Sequence, residues 1–321
     1  MPLSPRVFWF VRPQEGVEIL DTEEPQIETD PRIQQQAKAP WKDISLQGAV
    51  EAKYLYATLL SDDMLPFGWR QLSLTVLPLE KLQRRLMWRL INSKQASKKG
   101  HTGLEEWLQR VENHWKERAK PNKQIKTVYD RLDFQKLLTL QTPVGPYKLL
   151  YNASGTYLCA CVIETPAVTQ TPVYGLPVQG FIADTTTYWF ETDDPEEAYY
   201  LAAILNSPLV DKLIKPFQTK GNFGATSGKG ERHIHRRPFE VVPIPRYRGS
   251  EVVHRMLARL GRRCHRRVRA FLRGSHRKVL GGRIGTLRQK VRAYLRHELK
   301  VMDALVRRLI PELSKWQKAH R

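Results

Sequence analysis

Apolar residues that recur every three or four positions predict helices in the first part of the chain. They form one face in residues 50–62, a second in residues 82–90 and a third in residues 104–115. Thr102 and Glu105 have the spacing of a capping box, so the third helix is expected to begin there. The polar stretch between the second and third faces is expected to interrupt the helical pattern.

After residue 146 the pattern changes to short runs of β-branched and aromatic residues separated by turn-forming residues. The predicted strands are residues 147–151, 157–164, 173–178, 181–183 and 187–191. Cys159 and Cys161 fall on the second of these strands, and we interpret both as packing residues. The runs together predict a curved antiparallel sheet.

Two capped helices are expected after this sheet. Asp194 and Pro195 are followed by two glutamates, which is the usual pattern at the start of a helix. Asn206-Ser207-Pro208 should end this helix, and Ser207 should cap a second, shorter one. Residues 218–238 then leave regular structure. They contain four glycines among lysines and arginines, and glycine lets a ligand approach the backbone closely.

Residues 251–321 predict a basic helical hairpin. Apolar positions keep helical spacing on both sides of Gly281-Gly282, and the two helices would be about 23 and 25 residues long. The segment has 21 basic and 4 acidic residues, and its arginines repeat at spacings where like charges repel one another. We interpret it as a surface for phosphate groups, with a merely solvated basic helix as the alternative. Deletion from residue 274 is expected to weaken binding and leave specificity intact.

The composition favours a nucleic-acid partner. The chain has 53 Lys and Arg against 32 Asp and Glu, a net charge of +21 and an isoelectric point near 10. The first 63 residues carry 11 acidic and 6 basic residues, so the positive charge is concentrated at the other end. A phosphate backbone would prefer that end.

The remaining composition favours a cytoplasmic protein. Three cysteines are too few for a disulfide framework, and no apolar run approaches the ~18 residues of a membrane-spanning helix. No signal peptide is recognisable. We therefore expect a location in the reducing cytoplasm, at the nucleoid when bound to DNA, and no membrane partner.

Three parts of the chain resemble the target-recognition region of N6-adenine DNA methyltransferases, in which a methylase domain precedes a specificity domain. They are residues 200–207, 231–238 and 242–245. Residues 5–11, 39–42 and 65–67 are similar to the segment that joins the two domains. The resemblance covers about residues 5–270.

The resemblance implies a specificity part without its catalytic part. Such methylases hold S-adenosylmethionine on a glycine-rich turn and grip the flipped adenine with an Asn/Asp-Pro-Pro-aromatic motif. This chain has no Pro-Pro dipeptide, and its glycine cluster at 281–285 lies between arginine-rich helices. We therefore expect either a separate subunit or a truncated gene product of a restriction-modification or phage-defence system. S-adenosylmethionine would bind a partner methylase subunit, and we expect no cofactor or metal in this chain.

These patterns define an α+β fold, a curved antiparallel sheet with flanking helices and a basic helical hairpin. The expected segments are a mixed α/β connecting region at 1–130, a target-recognition domain at 131–250 and the helical tail at 251–321. The candidate contacts to double-stranded DNA in and near the glycine-rich segment are Lys215, Gln218, Lys220, Asn222, Lys229, Arg232, His233, His235, Arg236 and Arg237. Those in the tail are Arg255, Arg259, Arg262, Arg263 and Arg266.

Two other classes of function remain open. Asp43, Glu51 and Lys53 loosely match the acid followed by Glu-x-Lys of many Mg²⁺-dependent nucleases, although the last two are expected on a helix rather than a strand. The other alternative is a general nucleic-acid-binding structural protein, in which the arginine-rich tail does all the binding.

Four histidines could suggest a zinc site. They are His233, His235, His254 and His265. Zinc sites of this kind normally add a matching pair of cysteines, and this chain offers none at suitable spacing. We therefore interpret the first two as polar elements of the loop.

Overall fold

The structure is a computed structural model that describes residues 3–82, 87–218, 232–275 and 280–310. These residues form a mixed α+β fold that divides into two compact units. The first unit takes its described residues from 1–58, 72–145 and 165–185. The second unit takes its residues from the rest of the chain, so neither unit is one continuous segment.

The strands are short, with two to six residues each. In chain order they are β1 (Phe10–Pro13), β2 (Gln26–Thr29), β3 (Gln47–Ala49), β4 (Leu55–Leu59), β5 (Met64–Leu65), β6 (Gly68–Trp69), β7 (Ser73–Val76), β8 (Leu79–Lys81), β9 (Trp88–Leu90), β10 (Tyr147–Asn152), β11 (Ser154–Gly155), β12 (Ala160–Glu164), β13 (Phe181–Ala183), β14 (Thr187–Thr192) and β15 (Arg232–His233).

The α-helices range from five to 23 residues. They are α1 (Pro31–Gln36), α2 (Ser93–Ser97), α3 (Thr102–Arg118), α4 (Val128–Leu132), α5 (Thr165–Thr169), α6 (Pro195–Asn206), α7 (Pro208–Ile214), α8 (Arg237–Val241), α9 (Val252–Gly274), α10 (Ile284–Tyr294) and α11 (Arg296–Leu309). Single 3₁₀ turns occur at Arg6–Phe8, Ala52–Tyr54, Ser61–Asp63, Phe134–Lys136 and Lys215–Phe217. Among the helices of the described residues, none is both long and apolar enough to cross a membrane.

The first unit is organised around a six-stranded sheet with the strand order β13-β4-β7-β1-β2-β3. Near its middle, Val11 of β1 pairs with Thr29 on one side and with Leu74 on the other. The side chain of Trp9, just before β1, is fully buried. A separate β8-β9 hairpin belongs to the same unit.

Helix α3 packs through one apolar face, which confirms the helix predicted in residues 104–115. The buried side chains of this face are Leu104, Trp107, Leu108 and Val111. The indole of Trp107 donates a hydrogen bond to the Phe8 carbonyl at 3.0 Å. The predicted capping box at Thr102 is wrong, because the side chain that receives the Leu104 N–H is Glu51, at 2.9 Å.

Two predicted helices of the first unit are strands instead. Residues 55–59 form β4, and all five side chains are buried. A strand covered on both faces lacks the polar alternation that identifies a strand, so its apolar spacing resembles that of a helix. Residues 79–81 and 88–90 form the β8-β9 hairpin, while Leu86 lies outside the described residues.

The stretch expected to interrupt these helices is itself partly helical. Residues 93–97 form α2, and its start is a capping box between Asn92 and Gln95. The Asn92 side chain accepts from the Gln95 N–H at 2.9 Å, and Gln95 Oε1 accepts from the Asn92 N–H at 2.9 Å. The local signal was therefore present in the sequence, but five residues are too few for a hydrophobic period to show.

The strands predicted after residue 146 belong to two different sheets. β10, β12 and β14 form an antiparallel sheet of the second unit, in which Leu150 pairs with Cys161 and with Trp189. β13 has the predicted bounds, 181–183, but it joins the six-stranded sheet of the first unit beside β4. Residues 173–178 contain only a single bridge. The expected antiparallel sheet is therefore confirmed for three of the five predicted strands, whereas residues 173–178 and 181–183 do not belong to it.

Helix α6 is the centre of the second unit. Its start is confirmed, with Pro195 in the first turn and the Asp194 carboxylate accepting from the Glu196 N–H at 2.8 Å. Every side chain in residues 198–206 is buried, because the three-stranded sheet and α9 both pack against the helix. At its end, Asn206 donates to the Ala160 carbonyl at 2.7 Å and fixes α6 to β12.

The described residues of the basic tail are an integral part of the second unit. α9 has the predicted 23 residues, but the second predicted helix is divided at Leu295 into α10 and α11. The tail side chains buried in the core include Leu257, Cys264, Val268, Leu287, Val291, Leu295, Leu299, Met302 and Val306. A deletion from residue 274 would therefore remove core side chains as well as positive charge.

Candidate nucleic-acid interface

Both described ends of the glycine-rich segment lie against the short stretch from Ser154 to Tyr157. On one side, Lys215 lies three residues before the segment leaves the described chain, and its ammonium is 5.4 Å from the Tyr157 ring centroid. On the other side, Arg232 in β15 pairs with Gly155, two residues before Tyr157. Residues 219–231 lie outside the described residues, but their anchors are close together in the second unit.

The backbone around Tyr157 is held by side chains from two elements. Asn152 at the end of β10 donates to the Tyr157 carbonyl at 3.0 Å and to the Ser154 carbonyl at 2.8 Å. Asp211 of α7 accepts from the Leu158 N–H at 2.8 Å. These bonds replace a regular strand between β11 and β12 and leave the Tyr157 side chain half-buried.

Two cations lie near the Tyr157 ring. Besides Lys215, the Arg292 guanidinium is 5.0 Å from the ring centroid. Both distances fall within the range of cation–π attraction. One turn earlier on α10, the buried Arg288 donates to the Met64 carbonyl at 3.0 Å and to the Ser61 carbonyl at 2.5 Å. We call Tyr157, Lys215, Arg288 and Arg292 the Tyr157 cluster.

A second aromatic group lies at the end of β15. The rings of His233 and His235 are stacked at 5.0 Å, and His235 Nδ1 is 3.3 Å from the Tyr188 hydroxyl. Tyr188 stacks in turn on Tyr151 at 5.2 Å. Burial, followed by the charges of His233 and Arg237, lowers the pKa of His235. A neutral His235 imidazole offers one donor and one acceptor, as a base edge requires.

The remaining loop candidates differ in exposure. Arg236 is exposed, and Arg237 pairs with Glu240 at 2.7 Å. Gln218 is only 7% exposed, so its side chain presents little surface. The structure describes the backbone of Arg232 but not its side chain, and three candidates lie outside the described residues altogether. These three are Lys220, Asn222 and Lys229.

The arginines of α9 fall into two groups. Three of the predicted contacts are on the exposed side of the helix, namely Arg259, Arg263 and Arg266. Arg262, by contrast, pairs with Glu196 of α6 at 2.8 Å and lies 5.0 Å from the Tyr199 ring. Arg255 donates to the backbone carbonyls of residues 249 and 250.

Glu298 of α11 supplies further compensation for the α9 arginines. Its carboxylate is 2% exposed and lies 2.5 Å from Arg267 and 3.8 Å from Arg263. The sequence suggested that few acids relieve the repulsion along α9. The acids are in fact distant in sequence, on α6 and α11, where the tertiary fold brings them to the helix.

The three residues of the possible nuclease motif have separate partners. Asp43 accepts from Arg118 at 2.6 Å, and Lys53 lies 3.0 Å from His101 Nδ1. Glu51 caps α3 and precedes a 3₁₀ turn rather than standing on the predicted helix. Within the described ranges, no three His, Cys, Asp or Glu side chains are placed to hold a metal ion.

His254 and His265 are buried in the second unit and do not meet the loop histidines. His254 stacks on Tyr200 at 4.8 Å, and His265 Nε2 accepts from the Val162 N–H at 2.8 Å. The cysteines on and beside β12 are buried and free, as a packing role requires. Burial raises the pKa of the Cys161 thiol.

The sequence analysis missed the Tyr157 cluster. Tyr157 was assigned to a strand, and nothing local distinguishes it from the other aromatic residues of the region. Arg288 and Arg292 do leave a signal, because they are four positions apart and adjoin Leu287 and Val291 of the buried face. Basic residues at that spacing lie on one flank of a helix, where they can reach a neighbouring loop.

No protein-family model matches the chain, and no curated protein matches it in sequence. Its function is therefore inferred from its residues and their geometry.

Proposed function

We propose that the chain is the DNA-binding, target-recognition part of an N6-adenine DNA methyltransferase and is catalytically incomplete alone. The observation that carries this proposal is that the two ends of the glycine-rich segment lie against one short stretch. Lys215 lies on the Tyr157 ring together with Arg292, and Arg232 pairs with Gly155. Glycines permit close backbone approach, and the flanking cations attract phosphate. The resemblance of residues 200–207, 231–238 and 242–245 to specificity domains gives this surface its function.

Base reading is assigned to the segment after β15. His235 is rigid because it is stacked on His233 and contacts Tyr188, so it loses little entropy on binding. Arg236 is exposed beside it and can present its donor fork to guanine or to phosphate. These two side chains are our candidates for contacts with base edges.

Backbone contacts are assigned to the exposed arginines of α9. Arg259, Arg263 and Arg266 follow one side of a 23-residue helix, which extends about 35 Å at 1.5 Å per residue. That length matches roughly one turn of duplex DNA. Phosphate contacts position a protein on DNA but carry no sequence information, so these arginines would add affinity without specificity.

Methyl transfer is assigned to a partner subunit that binds S-adenosylmethionine. The chain lacks a Pro-Pro dipeptide, and its glycine cluster at 281–285 does not follow a strand of the described residues. The complete enzyme would belong to a restriction-modification or phage-defence system of the cytoplasm and would be found at the nucleoid when bound to DNA.

The test is selection of binding sites from a pool of random duplexes by the full chain. We expect the parent protein to enrich a common sequence. Arg236→Ala should lower affinity for that sequence by ~1–3 kcal/mol, and loss of a base contact should relax the preference at one position. Arg259→Ala, one of the exposed α9 arginines assigned to phosphate, is the matched control and should weaken binding to all sequences alike.

Two results would refute the proposal. One is that selection with the parent protein enriches no common sequence from the pool. The other is a triple variant, Arg232→Ala/His235→Ala/Arg236→Ala, that selects the same sites as the parent protein. The loop would then not be the recognition element. Appreciable binding of S-adenosylmethionine in calorimetric titration would overturn the assignment of catalysis to a partner.

A further inference from the structure

A second basic site lies in the second unit, away from the glycine-rich segment in sequence. It is a cleft of about 700 Å³ between the start of α9, the segment that precedes it and the end of α11. The charged and titratable residues that line it are Arg246, Arg248, Glu251, His254 and Arg308. None of the three arginines was among the predicted DNA contacts.

The arginines of this cleft have no counterion within the described part of the chain. Arg246, Arg248 and Arg308 are exposed, and no ion pair or side-chain hydrogen bond joins them to a described residue. Glu251 is the single carboxylate among the lining residues, so the cleft retains a net positive charge. Cations collected around a concave surface raise the local concentration of anions.

His254, which also lines the cleft, has a ring of fixed orientation. Its side chain is 5% exposed and is held flat against Tyr200 at 4.8 Å. Nδ1 accepts from the Arg248 N–H at 3.0 Å, so the proton of the neutral ring is on Nε2. Nε2 donates to no atom of the described residues.

The charge state of His254 preserves this donor. Burial lowers its pKa, the charge of Arg248 lowers it further, and Glu251 raises it. The imidazole is therefore mostly neutral near pH 7, with its proton directed by the Arg248 backbone. A neutral donor surrounded by arginines suits an anion that accepts hydrogen bonds.

Helix α9 adds backbone donors at the same end. Glu251 occupies the N-cap position, but its side chain makes no capping hydrogen bond. Val252 and Val253 line the cleft, and their N–H groups are among the first-turn donors that have no partner within a helix. The helix dipole favours negative charge at this end.

We propose that this cleft binds a phosphate group, held by Arg246, Arg248 and Arg308 and by the Nε2–H of His254. Guanidinium groups match phosphate oxygens with two parallel hydrogen bonds, and several acceptor oxygens are needed to satisfy this many donors. The phosphate could come from the backbone of DNA or from a small phosphorylated molecule. The assignment to the DNA backbone rests on the proposed function, whereas the phosphate site itself does not.

The test follows the ¹⁵N signal of His254 Nε2 in the full chain during titration with inorganic phosphate. We expect a saturable shift in the parent protein. Arg246→Ala/Arg308→Ala should weaken phosphate binding about tenfold or more, because it removes two charged donors. Lys38→Ala/Lys42→Ala removes the same charge from exposed positions of the first unit and should bind phosphate as the parent does.

A second measurement identifies the source of the phosphate. Binding of a short fluorescent duplex is measured against salt concentration, and each lost backbone contact lowers the log–log slope by ~0.9. A slope lowered by ~1.8 in the arginine double variant supports the DNA backbone. Lost phosphate binding with an unchanged slope supports the site with a small phosphorylated ligand.

The proposal is overturned by two results together. Phosphate would leave the His254 Nε2 signal of the parent unchanged, and the salt dependence of duplex binding would have the same slope in the arginine double variant and the lysine control. Failure of the proposed function looks different. In that case the parent would not bind duplex DNA, while the phosphate titration would still decide whether the cleft is an anion site.

Discussion

Gly261 of α9 lies directly against the backbone of Tyr199 in α6. A β-carbon at position 261 would be 2.3 Å from the Tyr199 carbonyl oxygen and 3.5 Å from the Ala203 side chain. The two helices can approach this closely only because residue 261 has no side chain. This contact places the arginine-bearing helix on the central helix of the second unit.

We predict that Gly261→Ala destabilises the second unit. The backbone oxygen cannot move away as a flexible side chain could, so α9 must shift along its contact with α6, at a cost of roughly 1–3 kcal/mol. Urea unfolding would measure the change. Gly285→Ala is the matched control, because nothing lies within 4 Å of its β-carbon and α10 should gain up to about 1 kcal/mol. Equal stability of the two variants would contradict the packing described.

The next prediction concerns acid stability and His265. Its Nε2 accepts from the Val162 N–H at 2.8 Å, and Nδ1 lies 3.0 Å from the Gly261 carbonyl. Burial lowers the pKa of His265 from 6.5 to about 4, with a smaller contribution from Arg269, while the bond to Gly261 opposes this. Below pH 6.5 the His265 imidazole of the unfolded chain therefore binds a proton, whereas that of the native protein stays neutral.

This difference in proton uptake makes stability rise with pH between about 4 and 6.5. The contribution of His265 is complete above pH 6.5 and is lost progressively toward pH 4, by roughly 3 kcal/mol in all. Denaturant unfolding across this range would show the dependence. In His265→Gln the slope should be flatter, and an identical slope in parent and variant would mean that another group is responsible.

Glu298 gives a third prediction. Its buried carboxylate lies 2.5 Å from Arg267 and 3.8 Å from Arg263, so Glu298→Gln removes the charge that compensates both arginines. We expect a loss of about 1–3 kcal/mol in thermal or urea unfolding, with little change in DNA affinity. Glu240→Gln breaks the exposed pair with Arg237 and should cost under ~1 kcal/mol. Equal costs would show that burial does not matter here.

Local signals explain which helices could be predicted from the sequence. α6 begins at Asp194-Pro195 and ends at Asn206-Ser207-Pro208, so both boundaries are marked by residues that act within one turn. α9 shows the strong helical period of a surface helix. β4 carries no comparable signal, because both of its faces are buried and its sequence does not alternate.

The sequence did not predict which strands pair or which charged residues form ion pairs, because the partners are far apart along the chain. β13 was predicted with correct bounds, yet its place beside β4 depends on residues more than a hundred positions away. Glu298 is likewise 31 positions from Arg267, so a window along α9 shows only repulsion. At the candidate interface, Lys215, Arg236 and the exposed arginines of α9 were predicted from the sequence. Tyr157 and Arg292 were not, because only the fold brings them to Lys215.

The interleaving of the two units constrains how the chain can be divided or made. The polypeptide passes between the units five times, at residues 58/59, 71/72, 145/146, 164/165 and 185/186. A single cut therefore cannot release either unit as an intact fragment. During synthesis, β4 cannot pair with β13 until more than a hundred further residues have been made, and only then is the six-stranded sheet complete. Sheet closure is thus a late step of folding, and a nascent chain stalled before residue 181 would expose one edge of β4.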